Sequence, residues 1–130
     1  MSRVALHRPA GLFDGGFSYS ATVSSGPLLF TAGISPLDAD GGVVAPGDAL
    51  AQVRRCLVNL RTVLADQRCA FAEIAKLTVY VVVGDETALA RVWEEVNAEF
   101  DSQVPPAMLL AVAALPYPGQ VVEVDAIAAP

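Results

Sequence analysis

Two carboxylates stand out in this sequence because of where they fall. The chain carries no charge between Asp101 and Glu123; then Glu123 and Asp125 appear inside the run "VVEVDAIA". That run alternates and is rich in β-branched residues, which predicts a strand. Val121, Glu123, Asp125 and Ile127 then share one side, and Val122, Val124, Ala126 and Ala128 the other. The all-apolar side suits a core. The other side must meet water, a partner chain or a ligand. A carboxylate there can position or deprotonate water, and Glu123 is the candidate catalytic group. Its alternative role is an ion pair with an arginine across an interface.

Other chemistries are poorly supplied. His7 is the only histidine and sits near the start of the chain, at a segment expected to be mobile. Without a usable histidine a Ser-His triad cannot be built. There is no GxSxG, HExxH, Walker or GxGxxG pattern. Zinc would lack its usual nitrogen and sulfur ligands. Asp38 and Asp40 superficially resemble a calcium loop, but the twelfth position from Asp38 is Ala49, where a bidentate glutamate is required. No metal is expected. Cys56 and Cys69 lack CxxC spacing and read as structural thiols.

The elements that must place Glu123 follow from the rest of the chain. At 130 residues it forms one domain, 1–130. Its 54% hydrophobic and 17% charged content exceeds the apolar share of an ordinary soluble domain. A small chain with so few charges has apolar surface to cover, which predicts an oligomer. A net charge of −6 disfavours nucleic acid and anionic membrane. The charge-free stretch is cut by Pro105, Pro106, Pro116 and Pro118, so it cannot span a membrane as one helix. The opening residues contain no apolar run of secretory type, so a cytoplasmic protein is expected.

Two short strands are predicted at 17–23 and 28–32. A helix follows from Asp48, its cap, to about Gln67, with the stripe Leu50, Val53, Leu57, Leu60 and Leu64. A strand is predicted over 76–83. A second helix follows, capped by Asp85 and striped by Leu89, Val92, Trp93, Val96 and Phe100. The segments 107–115 and 121–128, joined by "LPYPGQ", are read as a closing hairpin. The order ββαβαββ predicts an α+β fold, one mixed sheet with two helices on one face.

These pieces, in this order, resemble the RidA (YjgF-type) family of reactive intermediate deaminases. The resemblance runs through "SYSATVSSGPLLFTAGISPLD", the helix with Gln52, Asn59 and Leu60, "KLTVYVVVGD", "PPAMLLAVAALP" and "VVEVDAIA". It implies a chorismate-mutase-like fold and a homotrimer, with sheets lining a central barrel and ligand clefts between subunits. It also implies cofactor-independent hydrolysis of enamines or imines to ketones and ammonia.

Carried over by position, the resemblance places Glu123 at the glutamate that positions the attacking water. It places Tyr19 at the cleft border, Gly33 at the glycine of an SG motif whose serine is Ala32 here, and Leu109 at a ligand-facing position. Trp93 stands where many members have asparagine. Ala107, or Met108 if the alignment slides by one, takes the place of the arginine that clamps a substrate carboxylate. Neither side chain can replace a bidentate guanidinium. The implied function is a hydrolase with a substrate other than the usual small 2-iminoacids. The alternative is a non-catalytic binding or regulatory trimer that keeps the cleft.

Overall fold

The computed structural model describes residues 2–101 and 103–130. In chain order its elements are β1 (Val4–His7), β2 (Ser20–Val23), β3 (Leu29–Phe30), α1 (Ala49–Asp66), β4 (Ile74–Val82), α2 (Thr87–Ala98), β5 (Ala107–Val112) and β6 (Val122–Ala128), with a 3₁₀ turn at Phe71–Glu73. The fold is α+β: a mixed four-stranded sheet, β3-β6-β4-β5, with both helices on one face, and a separate antiparallel ribbon, β1-β2.

Two expectations are corrected. The last two strands do not form a hairpin. β5 runs parallel to β4 on one side and β6 antiparallel to β4 on the other. The 113–121 connection therefore crosses over β4 instead of turning back on itself. The start of the chain is also not a loose terminus: Val4–His7 pairs with Ser20–Val23, and His7 Nε2 lies 2.9 Å from Thr22 Oγ1. The strands expected at 17–23 and 28–32 are short and belong to different sheets.

α1 forms where its stripe predicts. Val53, Leu57, Leu60 and Leu64 are buried, and Asp48 Oδ1 accepts from Ala51 N at 3.1 Å as the N-cap. α2 begins at Thr87, so its N-cap position falls on Glu86, one residue past the expected Asp85, whose side chain accepts from Thr87 N. Arg54 and Arg61 on α1 pair with Glu95 and Glu99 on or beside α2, at 2.7 and 2.9 Å. These exposed pairs orient the two helices more than they stabilise them.

The core lies between helices and sheet. Val53, Leu57, Leu60, Val92 and Val96 meet Leu77, Val79, Val81, Val122, Val124 and Ala126. One polar side chain is fully buried in it. Gln52 donates to Ala45 O and Gly119 O and accepts from Val121 N and Val122 N. It satisfies backbone groups that β6 leaves unpaired at its start, which is why a buried amide is tolerated there. In doing so it ties α1 to the strand that carries Glu123.

Candidate active site

Glu123 projects from β6 on the face of the sheet opposite the helices. The alternation expected for this strand holds: Val122, Val124, Ala126 and Ala128 are buried, and Glu123, Asp125 and Ile127 are half-buried. Its neighbour across β4 is Tyr80, and Asp125 sits beside Thr78. Tyr80 donates its hydroxyl to Asp125 Oδ2 at 3.2 Å. Burial, and then the charge of Asp125, raise the Tyr80 pKa above its ordinary value, so it stays a neutral donor.

A three-residue chain fixes the Glu123 carboxylate. Gln120 Nε2 donates to Ser35 Oγ at 3.0 Å, and Ser35 Oγ donates to Glu123 Oε1 at 2.8 Å. Gln120 also donates to Val122 O, accepts from Tyr117 N, and is almost wholly buried. The bridge between Ile34 and Val124 brings Ser35 alongside Glu123 at the sheet edge. Asn59 on α1 donates to Ser35 O and Leu37 O, and so holds the loop that carries the serine. Glu123 Oε2 makes no hydrogen bond among the described residues, which leaves it for a water or a ligand.

Gly33 lies directly against this carboxylate. A Cβ at that position would come 2.9 Å from Glu123 Cδ and 3.0 Å from Oε1. Any side chain there would push the carboxylate aside, so it is close approach, not a left-handed backbone, that favours glycine.

The remaining residues expected at the site sit elsewhere on the molecule. Ala107, Leu109 and Trp93 line an apolar cavity of about 220 Å³ together with Phe17. Ala107 and Leu109 stand beside Leu77 and Val79, on the helix-covered face. Met108 stands beside Thr78 on the open face, and is 46% exposed. Tyr19 lies outside both groups. Its hydroxyl donates to Phe13 O at 2.7 Å, and it borders a separate pocket of about 230 Å³ with Arg8, Leu12 and Phe13. Within one chain, then, Glu123 and Gly33 form one cluster and Trp93, Ala107 and Leu109 form a second.

Ser35 and Gln120 are site residues that the sequence did not single out. Neither belongs to a recognisable pattern, and both depend on strand pairings between distant segments. The cysteines are inert by position. Cys56 lies beneath β6 with its thiol toward Val122 O, and burial, helped by the charge of Glu123, pushes its pKa up to about 12. Burial also raises that of Cys69.

The chain has well-defined relatives. The family model described as "Endoribonuclease L-PSP" matches residues 14–130. Protein DfrA from Myxococcus xanthus is 35% identical over 130 residues, covering 98% of this chain and 96% of that one. The 2-iminobutanoate/2-iminopropanoate deaminase of Salmonella typhimurium is 30% identical, covering 85% of each. Among solved structures, the Rid-family protein YyfB of Yersinia pestis superposes with a TM-score of 0.90 at 28% identity, over 97% of this chain and 98% of the other. E. coli TdcF with bound serine superposes with a TM-score of 0.71 at 27% identity, over 89% of each. With a family model spanning nearly the whole chain and a full-length relative above 30% identity, the protein belongs to the Rid (YjgF-type) family, whose model bears the Endoribonuclease L-PSP description.

Proposed function

We propose that this protein is a Rid-type hydrolase that deaminates an enamine or imine, with Glu123 as the group that acts on water. The observation that carries the reading is the Glu123 carboxylate. One oxygen is fixed by Ser35 and Gln120, the other is open, and Gly33 is cut back to make room. Water bound at Oε2 attacks the carbon of the C=N bond and gives its proton to the carboxylate. The nitrogen takes up that proton to give the carbinolamine; the carbinolamine hydroxyl proton then passes by way of Glu123 to the nitrogen, and ammonia leaves as the C–N bond breaks and the C=O bond forms. An enamine enters the same route after tautomerising to the imine. The name of the Salmonella relative, a deaminase of 2-iminobutanoate and 2-iminopropanoate, supports this chemistry.

The working cleft lies between subunits of a cytosolic homotrimer. One copy supplies Glu123 and Gly33; another supplies Trp93, Ala107, Leu109 and Tyr19. Two facts support this placement. The two clusters lie on opposite faces of one sheet. The open face also exposes large apolar side chains, Phe30 at 68% and Met108 at 46%. The cavity at Trp93 carries no charge, and neither Ala107 nor Met108 can clamp a carboxylate. The substrate therefore differs from the usual small 2-iminoacids at that end. The ribonuclease suggested by the family description is disfavoured, because a phosphate backbone would meet a chain of net charge −6. The second reading, a binding or regulatory trimer without turnover, is favoured by the missing cation at 107 and 108, with Ala32 and Trp93 standing where the family resemblance implies serine and asparagine.

The Glu123→Gln variant separates these readings. It keeps shape and hydrogen bonding but removes the base. An enzyme should lose ~10²–10⁴-fold of its ammonia release while its sedimentation and melting curves stay unchanged. A binding protein would show no turnover to lose and a modest change in affinity. A drop in melting temperature or loss of assembly would mark Glu123 as a structural ion-pair partner instead.

A further inference from the structure

α1 presents three faces with different fates. Val53, Leu57, Leu60 and Leu64 enter the core, and Arg54 and Arg61 turn toward α2 and pair with its glutamates. Arg55, Asn59 and Thr62, at helical spacing on the third face, line an open groove of about 510 Å³. Its other wall is the loop through Gly33, Ser35, Leu37 and Asp38, and Tyr117 closes one end. Ser35 and Gly33, the residues in contact with Glu123, thus also face this groove.

Arg55 is the cation in the groove. Its Nε donates to Leu37 O at 3.1 Å, which anchors the guanidinium to the loop. Nη1 and Nη2 make no hydrogen bond among the described residues. The nearby carboxylate does not neutralise it by contact. Asp38 Oδ1 accepts from Asp40 N and Gly42 N at 2.9 Å, which holds the carboxylate in its own turn, so that its charge acts on Arg55 through space and not through a direct bond. The Asp38 pKa lies below the ordinary value chiefly because of these backbone donors, with Arg55 a smaller cause. What remains is a positioned guanidinium with two free nitrogens in a groove whose wall includes the serine that holds Glu123.

We infer that this groove binds an anionic group of the substrate, with Arg55 as its specificity-determining residue. The inference rests on the deaminase reading for its biological meaning and deepens it. Glu123 is not on the groove wall, and Ser35 stands between the two. An anion held by Arg55 is therefore several bonds from the carbon under attack. The substrate class is an imine or enamine whose carboxylate or phosphate is set off from the C=N bond by a spacer, unlike a 2-iminoacid, in which the two are adjacent.

The test uses ketone probes that mimic the product. We expect 5-oxohexanoate to shift the amide resonances of 33–37 and 55–62 saturably in the assembled wild-type protein. 2-Oxobutanoate and the neutral 5-oxohexanamide should bind about tenfold or more weakly. Arg55→Met should weaken 5-oxohexanoate by about 10- to 100-fold and leave the amide unchanged, and Arg55→Lys should recover part of the loss. Asp38→Asn, which keeps the turn acceptor but removes its charge, should tighten the acid about 2- to 5-fold. Inorganic phosphate, run in parallel, shows whether any small anion suffices; phosphate binding as tightly as 5-oxohexanoate would overturn the spacer-linked substrate. Equal acid binding by wild type and Arg55→Met, or shifts confined to other regions, would overturn the role of Arg55. Glu123→Gln should keep the affinity for 5-oxohexanoate. A wild-type protein that releases no ammonia from any imine but passes the titration refutes the deaminase reading and leaves the anion site standing.

Discussion

On β4, β5 and β6 alternate residues face opposite ways, and only one of the two faces carries charged and polar side chains. The helix-covered face is Leu77, Val79, Val81, Leu109, Val122 and Val124. The open face carries Lys76, Thr78, Tyr80, Met108, Glu123 and Asp125. One strand thus serves both, and a register shift of a single residue would bury two carboxylates among the leucines and valines. The contrast separates two kinds of requirement. The covered face must fill volume. The open face must hold particular atoms at particular distances.

That contrast can be broken or sharpened by substitution. The largest effect is expected on the covered face. Leu77→Ala removes a fully buried side chain and should cost about 2–5 kcal/mol in denaturant-unfolding free energy. Any folded fraction should still hold Glu123 in place; loss of the specific turnover of that fraction would mean the faces are coupled. Next comes Gly33→Ala. The new Cβ meets the end of a side chain, so the carboxylate yields and the backbone does not. Turnover should fall about 10- to 100-fold with a melting temperature close to wild type, and a crystal structure should show Glu123 rotated away from Ser35. Ser35→Ala is smaller: about 1 kcal/mol of stability and up to about tenfold in turnover, because Gln120 keeps its bond to Val122 O. The last is an expected absence of change. With a pKa near 12, Cys56 should be thiolate in only about one molecule in 10⁴ at pH 8. Iodoacetamide should leave it unlabelled in the native protein and alkylate it in urea, as read by intact mass. Rapid native labelling would mean that the core beneath β6 opens.

How much of this was legible in the sequence depended on whether the determinant was local. The α1 stripe, the Asp48 cap and the two faces of β6 rest on side-chain periodicity, and each was readable. The β5–β6 hairpin was misread because alternation identifies a strand but not its partner. The partner of both is β4, more than twenty residues away from either. β1 was missed for a similar reason: four residues with one histidine carry little pattern, and pairing with β2 is what makes them a strand. At the site, Glu123 was visible as an acid in an apolar strand. Ser35 and Gln120 were not, because they reach the carboxylate only after β3, β6 and the 113–121 connection have met. Met108 and Leu109 were expected in one pocket, but adjacent residues of a strand point apart, and the structure puts them on opposite faces.

The strand order has a consequence for how the Glu123 cluster is assembled. β6 is the last element in sequence, yet it lies between β3 and β4. Before it inserts, β4 and β5 can pair, but β3 has no partner and the sheet is in two pieces. Closing the gap joins segments nearly a hundred residues apart, the slowest kind of contact for a chain to find. The closing strand is also the one that bears Glu123, and its neighbour Ser35 becomes its partner only at that moment. A nascent or partly unfolded chain in which β6 is unpaired therefore lacks the assembled Gln120–Ser35–Glu123 chain.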